Sequence, residues 1–151
     1  IDLTTATPAQ ALAFFGPTGA FGVTARANQV TAYDVLWLSP EIMANLSKPY
    51  TIEVGDGTNA IISGSVLDAI RKFIPVKDIR QTYALSGNEF LAYERRKDVI
   101  SPLVGMAVGV VPLPRPMPQS NYNFQIMSAE GLQIKRDDEG RSGVLYGANL
   151  A

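Results

Sequence analysis

The sequence predicts a strand-rich fold, α+β or mainly β, formed as a single globular domain over residues 1–151. Three observations carry this. Runs rich in β-branched and aromatic residues recur between turn signals. One segment alone, near residues 65–74, has strong helical periodicity. The chain is 46% hydrophobic and 18% charged, apolar enough for a core and below the usual charged fraction of about 25%. The sheet is expected to be antiparallel or a sandwich, with the 65–74 helix packed on it.

The elements follow in order. Thr7 stands before Pro8 as an N-cap, and Ala11, Leu12 and Phe15 give a short apolar face closed by Gly16 and Pro17. Residues 16–22, GPTGAFG, read as a glycine-rich loop. Residues 23–39 read as two strand pieces around Ala27–Gln29, the second rich in β-formers from Val30 to Leu38. Pro40 then starts a helical turn, PEIMANL. Residues 51–54 alternate as a strand, and Asp56-Gly57 makes a turn.

Ser65 lies three residues before Asp68, a capping arrangement, and Val66, Leu67, Ile70, Phe73 and Ile74 follow at helical spacing until Pro75. Residues 76–85 read as strand, and 88–97 as strand or short helix. In the last segment Ile126, Leu132 and Ile134 fall on strand-like pieces. A hairpin is expected there, with DDEG (137–140) or GRSG (140–143) at its turn.

Residues 110–120 are read separately, as an extended proline-rich arm or edge strand. Pro112, Pro114, Pro116 and Pro118 recur at every second position. That period lacks the P-x-x-P spacing of polyproline ligands. In an extended strand it puts every missing N–H on one edge and leaves Leu113, Arg115 and Met117 able to pair through the other. These three are candidate interaction residues. The apolar window 99–113 contains Pro102, Pro112, Gly105 and Gly109 and is shorter than the roughly 20 residues of a spanning helix, so no transmembrane segment is expected.

The sequence removes several chemistries. It has no cysteine and no histidine, hence no thiolate nucleophile, zinc-thiolate site, imidazole ligand or Ser-His-Asp triad. No Gly-Lys pair follows the glycine-rich stretches, as a phosphate loop requires, and Gly16, Gly19 and Gly22 lack the dinucleotide-binding spacing. Tyr93 and Lys97 have a Y-x-x-x-K spacing, but nothing upstream forms the dinucleotide-binding half that such a pair serves. Paired-carboxylate hydrolysis would need Glu53, Asp56, Glu89 and Glu94 to converge. The acidic run 137–139 lacks the spacing of a calcium loop. No cofactor and no metal are expected.

Net charge is −1, which draws the chain to neither nucleic acid nor anionic membrane. Residues 71–97 nevertheless carry a local excess of +4. Arg95, Arg96 and Lys97, next to Phe90 and Tyr93, are further candidate interaction residues, for phosphate groups or for another subunit. A structural subunit of a larger homo- or hetero-oligomeric assembly is therefore expected, for example a virion or secretion-type particle. A small-ligand or peptide module using the glycine loops and Trp37 is the alternative. A carboxylate- or Ser/Lys-based enzyme comes third.

Overall fold

Three of the four described helices begin where a side chain takes over an orphan backbone N–H. The computed structural model describes residues 1–54, 58–74 and 76–148, and side chains apart from those of residues 50–63 and 73. The expected turn at Asp56-Gly57 and the stop at Pro75 lie outside the described residues. Helix α1 (Pro8–Phe15) starts at Thr7, whose side chain accepts from the Gln10 N–H while the Gln10 side chain accepts from the Thr7 N–H. In α3 (Pro40–Leu46) the Ser39 hydroxyl accepts from Ile42 N–H at 3.2 Å. In α4 (Val66–Phe73) Ser65 and Asp68 form the reciprocal pair. Each such cap stabilises its helix by about 1 kcal/mol.

Helix α2 (Ala20–Ala27) begins at Gly19 with no side-chain cap. It replaces the first of the two strand pieces expected from residues 23–39, and it shortens the glycine-rich loop. Packing decides here over local propensity: Phe21, Gly22 and Ala25 are buried together, a set that shares one face of a helix but would fall on both faces of a strand. Two glycines permit the approach to α1. A Cβ on Gly19 would lie 2.0 Å from the Ala13 carbonyl oxygen, and one on Gly22 would lie 2.6 Å from that of Gly16. The glycine spacing that suggested a ligand loop is therefore a backbone-to-backbone contact.

The strands are β1 (Tyr33–Leu38), β2 (Pro49–Val54), β3 (Thr58–Ser65), β4 (Val76–Gln81), β5 (Phe90–Tyr93), β6 (Ile100–Pro112), β7 (Phe124–Ile134) and β8 (Val144–Gly147). The fold is α+β and strand-rich, as the sequence predicts. Two compact units divide it, one of Ile1–Arg95 with Arg136–Ala151 and one of Arg96–Lys135.

The first unit holds a four-stranded sheet in the order β4-β1-β5-β8, and the two-stranded β2-β3. β1 runs antiparallel to β5, and β5 to β8, but β1 and β4 are parallel, with Tyr33 opposite Val76. A parallel neighbour needs a crossover, and the chain makes it through α3, β2-β3 and α4. Leu36 and Leu38 of β1 enter a core with Phe15, Phe21, Ile42, Leu46, Val66 and Ile70. Phe15 and Phe21 have ring centroids 5.4 Å apart, and Phe21 and Tyr33 5.6 Å. Tyr33 is fully buried and its hydroxyl has no hydrogen-bond partner. Burial, with the Glu94 carboxylate adding to it, pushes its pKa up to about 12.

The second unit is the β6-β7 hairpin. The sequence-based expectation paired the segment around Ile126 forward, across a turn at 137–140 or 140–143. Instead β7 runs unbroken through residues 128–131 and pairs backward with β6, while β8 pairs with β5. The 137–140 segment does turn, with Gly140 at φ 79 and its N–H donating to Asp137 O.

Candidate interaction surface

Alternation along the hairpin separates two faces. Cross-strand partners share a face, so Phe124, Ile126, Ser128, Glu130, Leu132 and Ile134 of β7 lie with Pro112, Val110, Val104, Pro102 and Ile100 of β6. Glu130 and Ser128 are the polar exceptions on an otherwise apolar face. Gln125, Met127, Ala129, Gly131 and Gln133 lie on the other face, opposite Val111, Gly109, Met106, Leu103 and Ser101. Ile126 is 73% exposed, Leu132 69% and Phe124 61%, far from the burial such side chains normally reach in a folded chain.

The proline-rich segment closes this hairpin. Strand β6 ends at Pro112, and residues 113–123 form the connection to β7. Leu113 keeps the strand-like role that the proline period implies, but its N–H donates to Asn123 O at 2.9 Å, within the hairpin itself. Arg115 and Met117 fall in the loop. The Arg115 guanidinium stands 4.3 Å from the Tyr122 ring centroid, and its Nη1 donates to Pro118 O at 2.9 Å. Ser120 N–H donates to Met117 O. Tyr122 in turn stacks on Phe124, with centroids 6.5 Å apart. Met117 and Tyr122 are both exposed at this tip.

The basic cluster has separate engagements. The Arg95 backbone N–H donates to Asp34 Oδ2 at 2.7 Å. Arg96 Nη2 pairs with Asp98 Oδ2 at 2.7 Å, and the Lys97 carbonyl accepts from Lys135 Nζ at 2.9 Å. The Lys77 ammonium first, then the Arg95 N–H, holds the Asp34 carboxyl below the usual carboxylate range.

Of the four carboxylates whose convergence an acid–base pair would need, the side chain of Glu53 and all of Asp56 lie outside the described residues. Glu89 accepts from Ser86 N–H at 2.9 Å and from the Tyr146 hydroxyl at 2.7 Å. Those two bonds, Ser86 first, hold its pKa down. Among the described residues no group of three or more acidic side chains is arranged to hold a metal ion. No helix among them is long and apolar enough to cross a membrane.

The first unit carries two further features. Trp37 lies over the sheet, its Nε1 donating to Tyr93 Oη at 3.4 Å and the Arg80 guanidinium 5.8 Å from its ring. A cavity of about 430 Å3 opens beside α2, walled by Phe15, Pro17, Ala25 and Val30 with Arg26 and Gln29 among its lining. Residue-by-residue reading missed the apolar face of β7 as a surface. The signal was present as apolar residues at Phe124, Ile126, Leu132 and Ile134, all of one parity, interrupted by Ser128 and Glu130 in the turn-like S-A-E-G.

These features define a strand-rich α+β protein with a long hairpin that exposes apolar side chains. Residues 1–147 match the model of a family of unknown function, DUF6260, and the chain belongs to that family. No curated protein matches it. Among solved structures, the chain is similar to one described as the crystal structure of a virus-like particle from Pyrococcus furiosus, with 17% identity and a TM-score of 0.45. That alignment covers 88% of this chain and 52% of the other, so the chain spans about half the length of that relative.

Proposed function

We propose that the protein is a structural subunit of a larger assembly, of the virion or particle kind, which works through the β6-β7 hairpin and without catalysis. The exposed hairpin carries this reading. A lone two-stranded hairpin is at best marginally stable in water, yet this one extends over 13 and 11 residues with most of its large apolar side chains exposed. A partner surface laid against it resolves that conflict. The low charged fraction points the same way, because a subunit needs less polar surface than a monomer.

Leu113, Arg115 and Met117 serve in this reading as part of the contact at the hairpin's tip, and Arg95, Arg96 and Lys97 as further contact residues. Light scattering after size exclusion, followed by electron microscopy of the purified protein, tests it. Defined particles or oligomers are expected; a stable monomer at high concentration overturns the reading. The alternative, a small-ligand module, draws on the cavity beside α2. It predicts saturable thermal stabilisation by a ligand, lost in Ala25→Trp.

A further inference from the structure

We infer that β7 is a pairing strand for a second copy of this chain, set antiparallel to its own counterpart about a two-fold axis at Ala129; this rests on the assembly reading and names its partner. The argument starts at the hairpin's two edges. Leu113 N–H donates to Asn123 O, and Lys135 N–H donates to Val99 O. Odd-numbered residues of β7 therefore turn their N–H and C=O groups toward β6. Phe124, Ile126, Ser128, Glu130, Leu132 and Ile134 turn theirs outward. None of these is proline, and both register irregularities place their extra residue in β6. The outer edge of β7 is thus an unbroken row of backbone donors and acceptors. The outer edge of β6 carries Pro102 and Pro112 at outward positions, each without an N–H, and is interrupted by both bulges.

The residues on the open edge are also self-complementary. Antiparallel pairing about Ala129 sets Phe124 against Ile134 of the second copy, Ile126 against its Leu132, and Ser128 against its Glu130. Every apolar side chain meets an apolar one, and the hydroxyl meets the carboxylate. On the other face Gln125 meets Gln133, Met127 meets Gly131, and Ala129 meets Ala129. Ala129 falls at a non-hydrogen-bonded pair, where Cα atoms approach to about 4.5 Å and a small side chain fits best.

Neighbouring registers lose this match. Centring on Ser128 sets Ile126 against Glu130, and centring on Glu130 sets two carboxylates face to face and Ser128 against Leu132. The centred register forms about a dozen main-chain hydrogen bonds, within the range of a standard protein interface. A closed, isologous dimer contact follows.

Because the chain has no cysteine, single-cysteine variants read the register directly. Ala129→Cys places two thiols within disulfide reach, and mild oxidation is expected to link at least tenfold more of it than of Gln125→Cys. Two copies of residue 125 would lie about 27 Å apart, at roughly 3.4 Å for each of the intervening steps. Ile126→Pro removes an N–H that the hairpin does not use, and it is expected to abolish the pairing; Ile126→Lys serves as a second variant that leaves the backbone unchanged. If light scattering shows oligomers while Ala129→Cys and Gln125→Cys link equally or not at all, the strand pairing is overturned and the assembly reading stands. A monomer in light scattering overturns both.

Discussion

Asn45 holds Leu3 in place through a buried hydrogen bond: its Nδ2 donates to the Leu3 carbonyl at 3.0 Å and to the Ala6 carbonyl at 2.9 Å. Its Oδ1 accepts from Lys48 Nζ at 2.8 Å. One side chain on α3 thereby satisfies the backbone of the segment that leads into α1. Asn45→Leu is expected to destabilise the fold by about 2 to 4 kcal/mol, because it strands two buried carbonyls. Urea denaturation measures this, and Lys48→Ala, which removes only the outer partner, should change stability far less.

Gly19 predicts a steric cost. A Cβ there meets the carbonyl oxygens of Ala13 and Phe14 at 2.0 and 2.2 Å, and neither is the end of a flexible side chain. Gly19→Ala is expected to lose about 2 to 3 kcal/mol or more, at the upper end of overpacking effects. Gly131→Ala, which meets nothing within 4 Å, should stay within roughly 0.5 kcal/mol of the parent. Equal losses in the two variants would show that α2 does not approach α1 as described.

Tyr33 predicts an alkaline limb. Its pKa is raised in the folded state to about 12, above the ordinary tyrosine value of about 10. The unfolded chain therefore loses the phenol proton first. The contribution is fully present below pH 10 and is lost as the pH rises through 12. Tyr33→Phe should flatten that loss in an equilibrium unfolding series from pH 9 to 12. At neutral pH the same variant should be neutral or stabilised, since it removes a buried hydroxyl that has no partner.

Local chemistry was legible in the sequence, and partnership was not. Thr7-Pro8 and Ser65 with Asp68 mark two helix starts because a cap is a contact over three residues, and Pro40 marks a third. The proline period marked which backbone groups lack an N–H, but the strand ends at Pro112, so Arg115 and Met117 lie in the connecting loop and of the three only Leu113 N–H bonds across the hairpin. Helix α2 was hidden because Val23 and Thr24 favour strands and Gly19 supplies no capping side chain; its burial against α1 decides its form. The partner of β7 was hidden because S-A-E-G resembles a turn, and because β6 lies across the whole of residues 113–123. The parallel β1-β4 pair was hidden for a related reason. Period-two alternation tells which way a side chain faces and says nothing about which strand stands beside it.

The two prolines of β6 have a consequence for how far growth can proceed. An exposed strand edge is ordinarily a template, and each chain that adds to it offers a fresh one, which is how open fibres begin. Here the added hairpin would bring its own Pro102 and Pro112 to the far side. In that pairing each β6-β7 hairpin offers one edge for main-chain bonding, so the proposed ribbon would terminate at four strands.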